Sequence, residues 1–138
     1  MNSLVSVIMP YYDKKDYFFE SINSVLNQTH TNLEIIIIYD DENKNDLEHI
    51  KNCIKNDTRV KIIFNDNNKG VSYSRNKAIS IARGKYIAFL DCDDYWETNK
   101  IEIQLNFMLT HGYDFSHTTY RIVKYNDKKC KANRQYTN

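Results

Sequence analysis

Short apolar, β-branched runs that alternate with amphipathic segments predict an α/β layered domain with a mostly parallel central sheet flanked by helices. Three observations carry that reading. Strand-like runs and helix-like stretches take turns along the whole first 112 residues. The run Leu33–Tyr39 is almost unbroken isoleucine, as expected for a central strand covered on both faces. The punctuation between elements is local turn and cap chemistry, with no Pro- or Ser-rich linker and no internal repeat.

Leu4–Met9 reads as a buried strand stopped by Pro10. Asp16 is placed to cap a helix in which Phe18, Ile22, Val25 and Leu26 follow the i, i+4, i+7, i+8 stripe. After the isoleucine strand, Asp46 is placed to cap a second helix carrying Leu47, Ile50 and Ile54. Val60–Phe64 is a third strand, followed by the polar loop Asn65–Gly70. A helix from about Val71 to Arg83 is expected to end at Gly84 as its C′ residue. Lys85–Leu90 is a fourth strand. Asn99, with Glu102 three residues on, opens a helix bearing Ile101, Leu105, Met108 and Leu109, which Gly112 closes. Beyond Asp114 the pattern weakens: Phe115–Tyr125 reads as a strand, Asn126-Asp127 as a turn, and residues 128–138 show no apolar periodicity.

At 138 residues the chain has length for one domain with an adequate core. Hydrophobic residues at 41% and charged residues at 27% exclude wholesale disorder. The formal charge of +1 does not advertise a nucleic-acid binder. That balance hides an asymmetry: from Lys124 onward five basic residues face one acid, Asp127, giving +4 and leaving −3 on the rest. Cys53, Cys92 and Cys130 form no CxxC pair or disulfide framework, which points to a reduced compartment. The apolar run from Ile35 to Tyr39 is far short of the ~20 residues of a membrane span. With no signal-peptide order at the N-terminus, the expected location is cytoplasmic.

In parallel sheets of this kind, ligands bind beyond the carboxyl ends of the strands. Two of those ends carry acid clusters: Asp40 and Asp41 after the isoleucine strand, and Asp91, Asp93 and Asp94 after Ile87–Leu90. Carboxylates this close repel one another unless a cation sits among them, and hard oxygen donors suit Mg²⁺ or Mn²⁺. A carboxylate at the Asp40 end suits a base N–H or ribose hydroxyls. Asp is also a turn and capping residue, so each acid pair has that plainer reading too. Tyr11 and Tyr12 share the rim, where they read either as half-buried loop aromatics or with one ring placed to stack on a nucleobase. Arg75 lies early in its helix, against the dipole; either a phosphate or a surface ion pair resolves that conflict.

Several chemistries are excluded. The chain has no GxxxxGK[ST], no GxGxxG and no GxSxG elbow, and its four histidines show no metal-ligand spacing. Cys92, between two acids, is a poor nucleophile because the neighbouring charges raise its pKa.

Taken together, Val5–Asp13, Ser24–Thr29, Glu34–Asp41, Asn68-Lys-Gly70 with Ser74-Arg-Asn76, and Tyr86–Trp96 resemble the nucleotide-binding half of a family 2 glycosyltransferase with the GT-A fold. The resemblance runs in order from about Val5 to Met108 and implies a Rossmann-like GT-A domain, incomplete at its C-terminus. Its implied activity is inverting transfer of a sugar from a nucleotide-diphosphate donor, usually a UDP-sugar, to a saccharide or lipid-linked acceptor in cell-surface glycan synthesis. By position, Pro10, Tyr12, Asp40, Asp41, Asn68, Arg75, Asp91 and Cys92 resemble the nucleotide-binding set, with Tyr12 stacking on the base and Asp40 reading its edge. Asp91-Cys-Asp93 resembles the DxD element that holds Mn²⁺ or Mg²⁺, with Asp93 the direct metal contact and Asp91 reaching the ribose or a metal-bound water.

The sequence departs from the family pattern in three places. Tyr39-Asp-Asp-Glu-Asn43 stands where the family has Val-Asp-Asp-Gly-Ser, which leaves base selectivity open; Asp13 stands where Asn is common. No general base is identifiable: Asp114 lacks a surrounding motif and Asp127 sits in an expected turn, so the base is expected beyond residue 138 and the isolated chain is expected to be inactive. On this reading residues 1–123 form the nucleotide-sugar-binding domain, and 124–138 a basic tail or the start of an acceptor-binding half. That tail either contacts the inner face of an anionic membrane, at ~1 kcal/mol per basic residue, or is simply solvated. Two other readings stand beside it. One is a non-catalytic nucleotide-binding or interaction domain. The other is a receiver-type signalling domain, disfavoured because Pro10-Tyr-Tyr replaces the acid pair such domains carry after their first strand.

Overall fold

The computed structural model describes residues 2–126 and 129–135, with side chains as far as Val123. In chain order the elements are β1 (Val5–Tyr11), α1 (Lys15–Leu26), β2 (Leu33–Tyr39), α2 (Leu47–Ile54), β3 (Val60–Phe64), α3 (Val71–Ile81), β4 (Tyr86–Phe89), α4 (Lys100–His111), β5 (Arg121–Asn126) and β6 (Lys129–Gln135). Residues up to Ile101 form one compact unit and those from Glu102 onward a second. The boundary expected between residues 123 and 124 falls inside β5.

The first unit is built on a four-stranded sheet in the order β3-β2-β1-β4. All its pairings are parallel, with Val5 opposite Leu33, Ile35 opposite Val60 and Val5 opposite Tyr86. β2 is buried along its whole length, which is why its isoleucines show no alternation. Even-numbered side chains of β1 and β2 face α3: Ile8, Ile36 and Ile38 pack with Ala78, flanked by Ile63 and Ala82. The odd-numbered face carries an aromatic group, with Tyr11 stacked on Tyr39 at 5.2 Å and Phe18 of α1 edge-on to Tyr11 at 5.5 Å. Phe18, Ile22 and Val25 are buried as the α1 stripe requires. That helix begins at Lys15, so Asp16 lies in its first turn and is not the cap. At the predicted cap of α2, Asp46 makes no side-chain capping bond and instead accepts the Tyr11 hydroxyl at 2.7 Å.

Pro10 does not stop β1, which continues to Tyr11. Backbone groups of alternate residues in a strand point to opposite neighbours. Ile8 O accepts Leu90 N on the β4 side, so the position two residues on faces β4 as well. Pairing to β4 ends at Ile8–Phe89, and proline costs little there. On the β2 side pairing runs on, and Tyr11 O accepts Asp40 N at 2.8 Å.

Gly84 has a different purpose from the one expected. α3 ends at Ile81 with an extended Ala82 as its cap, and no left-handed residue closes it. A Cβ on Gly84 would lie 2.5 Å from both Ser6 N and Ser6 Oγ, so glycine is required by close approach to β1. There Gly84 N and Ser6 Oγ, together with the Arg83 N–H and guanidinium, hydrogen-bond around the buried carboxylate of Glu34. Burial alone would raise the Glu34 pKa; the bonds from Ser6 and Arg83 overcome it and hold the group below its ordinary range.

In the second unit, α4 closes as predicted. Gly112 adopts a φ of +68°, and Tyr113 N returns to Met108 O at 2.9 Å, the six-to-one bond of a glycine-terminated helix. The strand expected from Phe115 begins only at Arg121; Phe115 is 81% exposed. β5 pairs antiparallel with β6, from Arg121–Gln135 to Asn126–Lys129. β6 carries no apolar alternation, so only its backbone pairing defines it. Asp127, in the expected turn, lies outside the described residues, as do the side chains on which a membrane contact of the basic tail would depend. No helix among the described residues is long and apolar enough to cross a membrane.

Candidate functional site

The strand order reverses direction between β1 and β4: β1, β2 and β3 run outward to one side and β4 lies on the other. In open parallel sheets the crevice beyond that reversal is where ligands bind. The loops leaving β1 and β4 there carry Tyr12 and Asp91–Asp94.

Three carboxylates meet at the end of β4. One oxygen from each of Asp91, Asp93 and Asp94 lies within 4.8 Å of the others. Partial burial and repulsion from Asp93 and Asp91 push the Asp94 carboxyl above its ordinary range. Two cations lean on the cluster: Arg75 Nη2 donates to Asp91 Oδ1 at 2.7 Å, and Lys14 Nζ lies 2.9 Å from Asp93 Oδ2. The conflict of Arg75 with the helix dipole is thus met by an ion pair. Its Nε is buried without a hydrogen-bond partner among the described residues, while the guanidinium lies over the Phe89 ring. These pairs tie the loop after β1 and the first turns of α3 to the loop after β4.

Asp40 is 3% exposed and turned inward. Its Oδ1 accepts Asn65 Nδ2 at 2.7 Å and Lys69 N at 2.8 Å, and its Oδ2 accepts Gly70 N at 2.8 Å. Asn65 Nδ2 also reaches Ser74 Oγ, and Lys77 Nζ reaches Asn65 Oδ1 and Phe64 O. Asp40 therefore holds the 65–70 loop and the start of α3, the helix that delivers Arg75. Asp41, half-buried, accepts Asn43 N through Oδ1 at 2.9 Å.

The other sequence candidates fall into two groups. Tyr12, 52% exposed, and Asn68, exposed in the loop that Asp40 holds, stand on the rim. Pro10 is half-buried within β1, opposite Ile38. The Cys92 side chain points into the core at 1% exposure, and burial, with the charges of Asp91 and Asp93, pushes its thiol pKa far up. Only its backbone faces the carboxylate loop.

Sequence reasoning passed over Lys14, and over the polar side of α1 with Gln28 just past its end. Ser21 Oγ donates to Asp91 O, Ser24 Oγ accepts Trp96 N, and Gln28 bonds both Glu97 O and Ile101 N. The local signal was Ser24–Thr29, which stood out only as part of the family pattern.

Hard oxygen donors in this density, with one carboxyl strained toward protonation, fit a divalent cation. Cationic and backbone donors around them fit a phosphate-bearing ligand.

Comparison with known proteins follows the same lines. The family model Glycosyl transferase family 2 matches residues 6–138. The Escherichia coli protein UDP-Glc:alpha-D-GlcNAc-diphosphoundecaprenol beta-1,3-glucosyltransferase WfaP is 47% identical over 121 residues, 88% of this chain and 47% of that protein. S. aureus TarS 1-349 in complex with UDP-GlcNAc superposes with a TM-score of 0.71 at 27% identity, covering 78% of this chain and 32% of that one. The mannosyltransferase PcManGT from Pyrobaculum calidifontis, in complex with GDP-Man and Mn²⁺, gives a TM-score of 0.71 at 15% identity over 78% of this chain and 33% of that one, a likeness of fold alone. The chain spans between 17% and 51% of the length of curated relatives that it matches. A sheet that reverses at an acid-bearing strand end, matched from its first strand onward, places this chain in glycosyl transferase family 2, with the GT-A fold.

Proposed function

We propose that this chain binds the donor of a sugar-transfer reaction, a nucleoside diphosphate sugar and most favourably a UDP-sugar, together with Mn²⁺ or Mg²⁺. The observation that carries the reading is the convergence of Asp91, Asp93 and Asp94 with Arg75 and Lys14 at the strand-order reversal. The names of two matched proteins support the choice of donor: WfaP is a UDP-Glc-dependent glucosyltransferase, and TarS crystallises with UDP-GlcNAc. WfaP, acting on a diphosphoundecaprenol-linked sugar, likewise supports a lipid-linked or saccharide acceptor in cell-surface glycan synthesis.

In this reading Asp93, with Asp91 and Asp94, holds the cation. When bound, the cation supplies a counter-charge to the diphosphate that leaves as the sugar transfers. Arg75, now paired with Asp91, turns part of its guanidinium toward the nucleotide, and Tyr12 offers a face to the base. Asn68 stands on a loop that Asp40 fixes. Asp41, the more exposed acid of its pair, and the backbone of Pro10 and Cys92 complete the proposed nucleotide contacts. These residues bind and orient the donor; none is assigned the acceptor's proton, and the 138-residue chain is proposed to bind donor without transferring it.

Calorimetry with Mn²⁺ and UDP, GDP or CDP tests the proposal. Expected are Mn²⁺-dependent UDP binding and its loss in Asp93→Ala with the fold intact. Absence of binding by all three nucleotides in the wild-type chain would end the donor-binding reading.

A further inference from the structure

We propose that Ser21 and Ser24 of α1 and Gln28, two residues past its end, are positioning residues that fix the carboxylate loop in its cation-holding shape. The inference rests on the reading of Asp91, Asp93 and Asp94 as cation-holding carboxylates.

From Leu90 to Asn99 the chain has neither helix nor strand. Its backbone donors and acceptors still need partners, because buried ones left unpaired are costly. The loop supplies one itself, Asp94 N to Asp91 O at 3.0 Å. β1 supplies another, Ile8 O accepting Leu90 N at 3.1 Å, and α1 with the residues just past it supplies more. At the first carboxylate, Ser21 Oγ donates to Asp91 O at 3.3 Å. After the carboxylates, Ser24 Oγ accepts Trp96 N at 3.1 Å, Gln28 Nε2 donates to Glu97 O at 2.8 Å, and Gln28 Oε1 accepts Ile101 N at 3.0 Å. Just beyond the helix, Thr29 N donates to Thr98 O at 2.9 Å.

Ser21 and Ser24, at i and i+3, share one face of α1, and Gln28 just past the helix end donates back to Ser24 O at 3.0 Å. On a surface helix a serine face meets water. Here Ser21 is 1% and Gln28 3% exposed, and Ser24 is half-buried against the loop. α1 thus has two buried faces: Phe18, Ile22 and Val25 toward the core, and a polar one whose hydrogen bonds the loop completes. The ion pairs of Lys14 and Arg75 to the carboxylates are too exposed to set the loop's shape, since exposed pairs contribute little. Part-buried and buried bonds to the backbone, at 2.8–3.3 Å, are better suited to that task. Groups that hold ligands from behind commonly govern cation affinity.

Trp96 is the chain's single tryptophan and lies within the loop, two residues after Asp94, so its fluorescence is the probe of Mn²⁺ arrival. The test titrates the full chain with Mn²⁺, with and without UDP, at a temperature where circular dichroism shows each variant folded. Expected is quenching in the wild type that Asp93→Ala removes, a midpoint raised on the order of tenfold in Ser24→Ala and in Gln28→Leu, and recovery to within about twofold in Ser24→Thr, which keeps the hydroxyl. Wild-type quenching lost in Asp93→Ala but unchanged in Ser24→Ala and Gln28→Leu would overturn the positioning role alone. No quenching in the wild type would overturn the cation reading and this inference with it. Hydrogen exchange on the wild-type chain needs no variant to fold: the Trp96 and Ile101 amides should be protected comparably to β1, and free exchange at both would overturn the inference.

Discussion

Substituting Asn for Asp40 separates two roles that a carboxylate at the end of β2 can have, reading a base or anchoring a loop. The side chain is 3% exposed, and its oxygens accept three hydrogen bonds, two on Oδ1 and one on Oδ2. Asparagine keeps one oxygen. If that oxygen serves Asn65 and Lys69, the new amide nitrogen faces the Gly70 N–H, donor against donor. A hydrogen bond to a charged acceptor contributes about 1.5–3 kcal/mol, and a buried orphan donor costs about 1–3 kcal/mol. Removing a buried charge returns part of this through desolvation. The net expectation is a loss of about 3 kcal/mol, a drop in Tm on the order of 10 °C for a chain of this size. Urea unfolding followed by far-ultraviolet circular dichroism measures it, as a lowered midpoint at unchanged slope. UDP affinity should fall as well, because the loop and the start of α3 lose their anchor. A urea midpoint equal to the wild type's, with nucleotide selectivity lost, would refute loop anchoring and restore base reading as the role of Asp40.

Other outcomes follow from the same structure. Gly84→Ala places a Cβ 2.5 Å from Ser6 N, a backbone atom that cannot yield cheaply, and should cost about 2–3 kcal/mol. Gly112→Ala meets open space and bears only the strain of a φ of +68°, so its loss should be the smaller, about 1 kcal/mol; thermal melts of the two variants compare them. Glu34, held below its ordinary pKa of 4.5, contributes stability that is complete above that value and is lost as pH falls through its lower folded pKa. Glu34→Gln should therefore be less stable than the wild type at neutral pH, with the gap narrowing on acidification below about pH 4.5, as urea midpoints across that range would show.

Much of the architecture was legible locally. The isoleucine run of β2, the α1 stripe through Phe18, Ile22 and Val25, and the glycine closing α4 are set by neighbours within a turn or two, so periodicity and cap chemistry reveal them. The acids at the strand ends were legible for the same reason: a hydrophobic strand followed by Asp91-Cys-Asp-Asp94 delivers them to a rim. β6 was not, because its seven residues carry no alternation and only pairing with β5 makes them a strand.

The direction in which polar groups point belongs to the tertiary structure. Asp40 and Asp41 are adjacent and chemically identical, yet one turns in to hold residues 65–70 and the other stays half-exposed. Gly84 reads as a helix cap until Ser6, 78 residues away, is found against it. Pro10 reads as a strand stop until β4 is seen to end beside it. Ser21, Ser24 and Gln28 show their partners only once the loop after β4 is found against them. The sequence by itself determined which segments become strands and helices and that carboxylates gather at one edge of the sheet, because those are consequences of local spacing. Which of those polar groups face a ligand and which hold the scaffold was decided only by partners roughly 25 to 80 residues distant, since a hydrogen bond's worth depends on what desolvates and completes it.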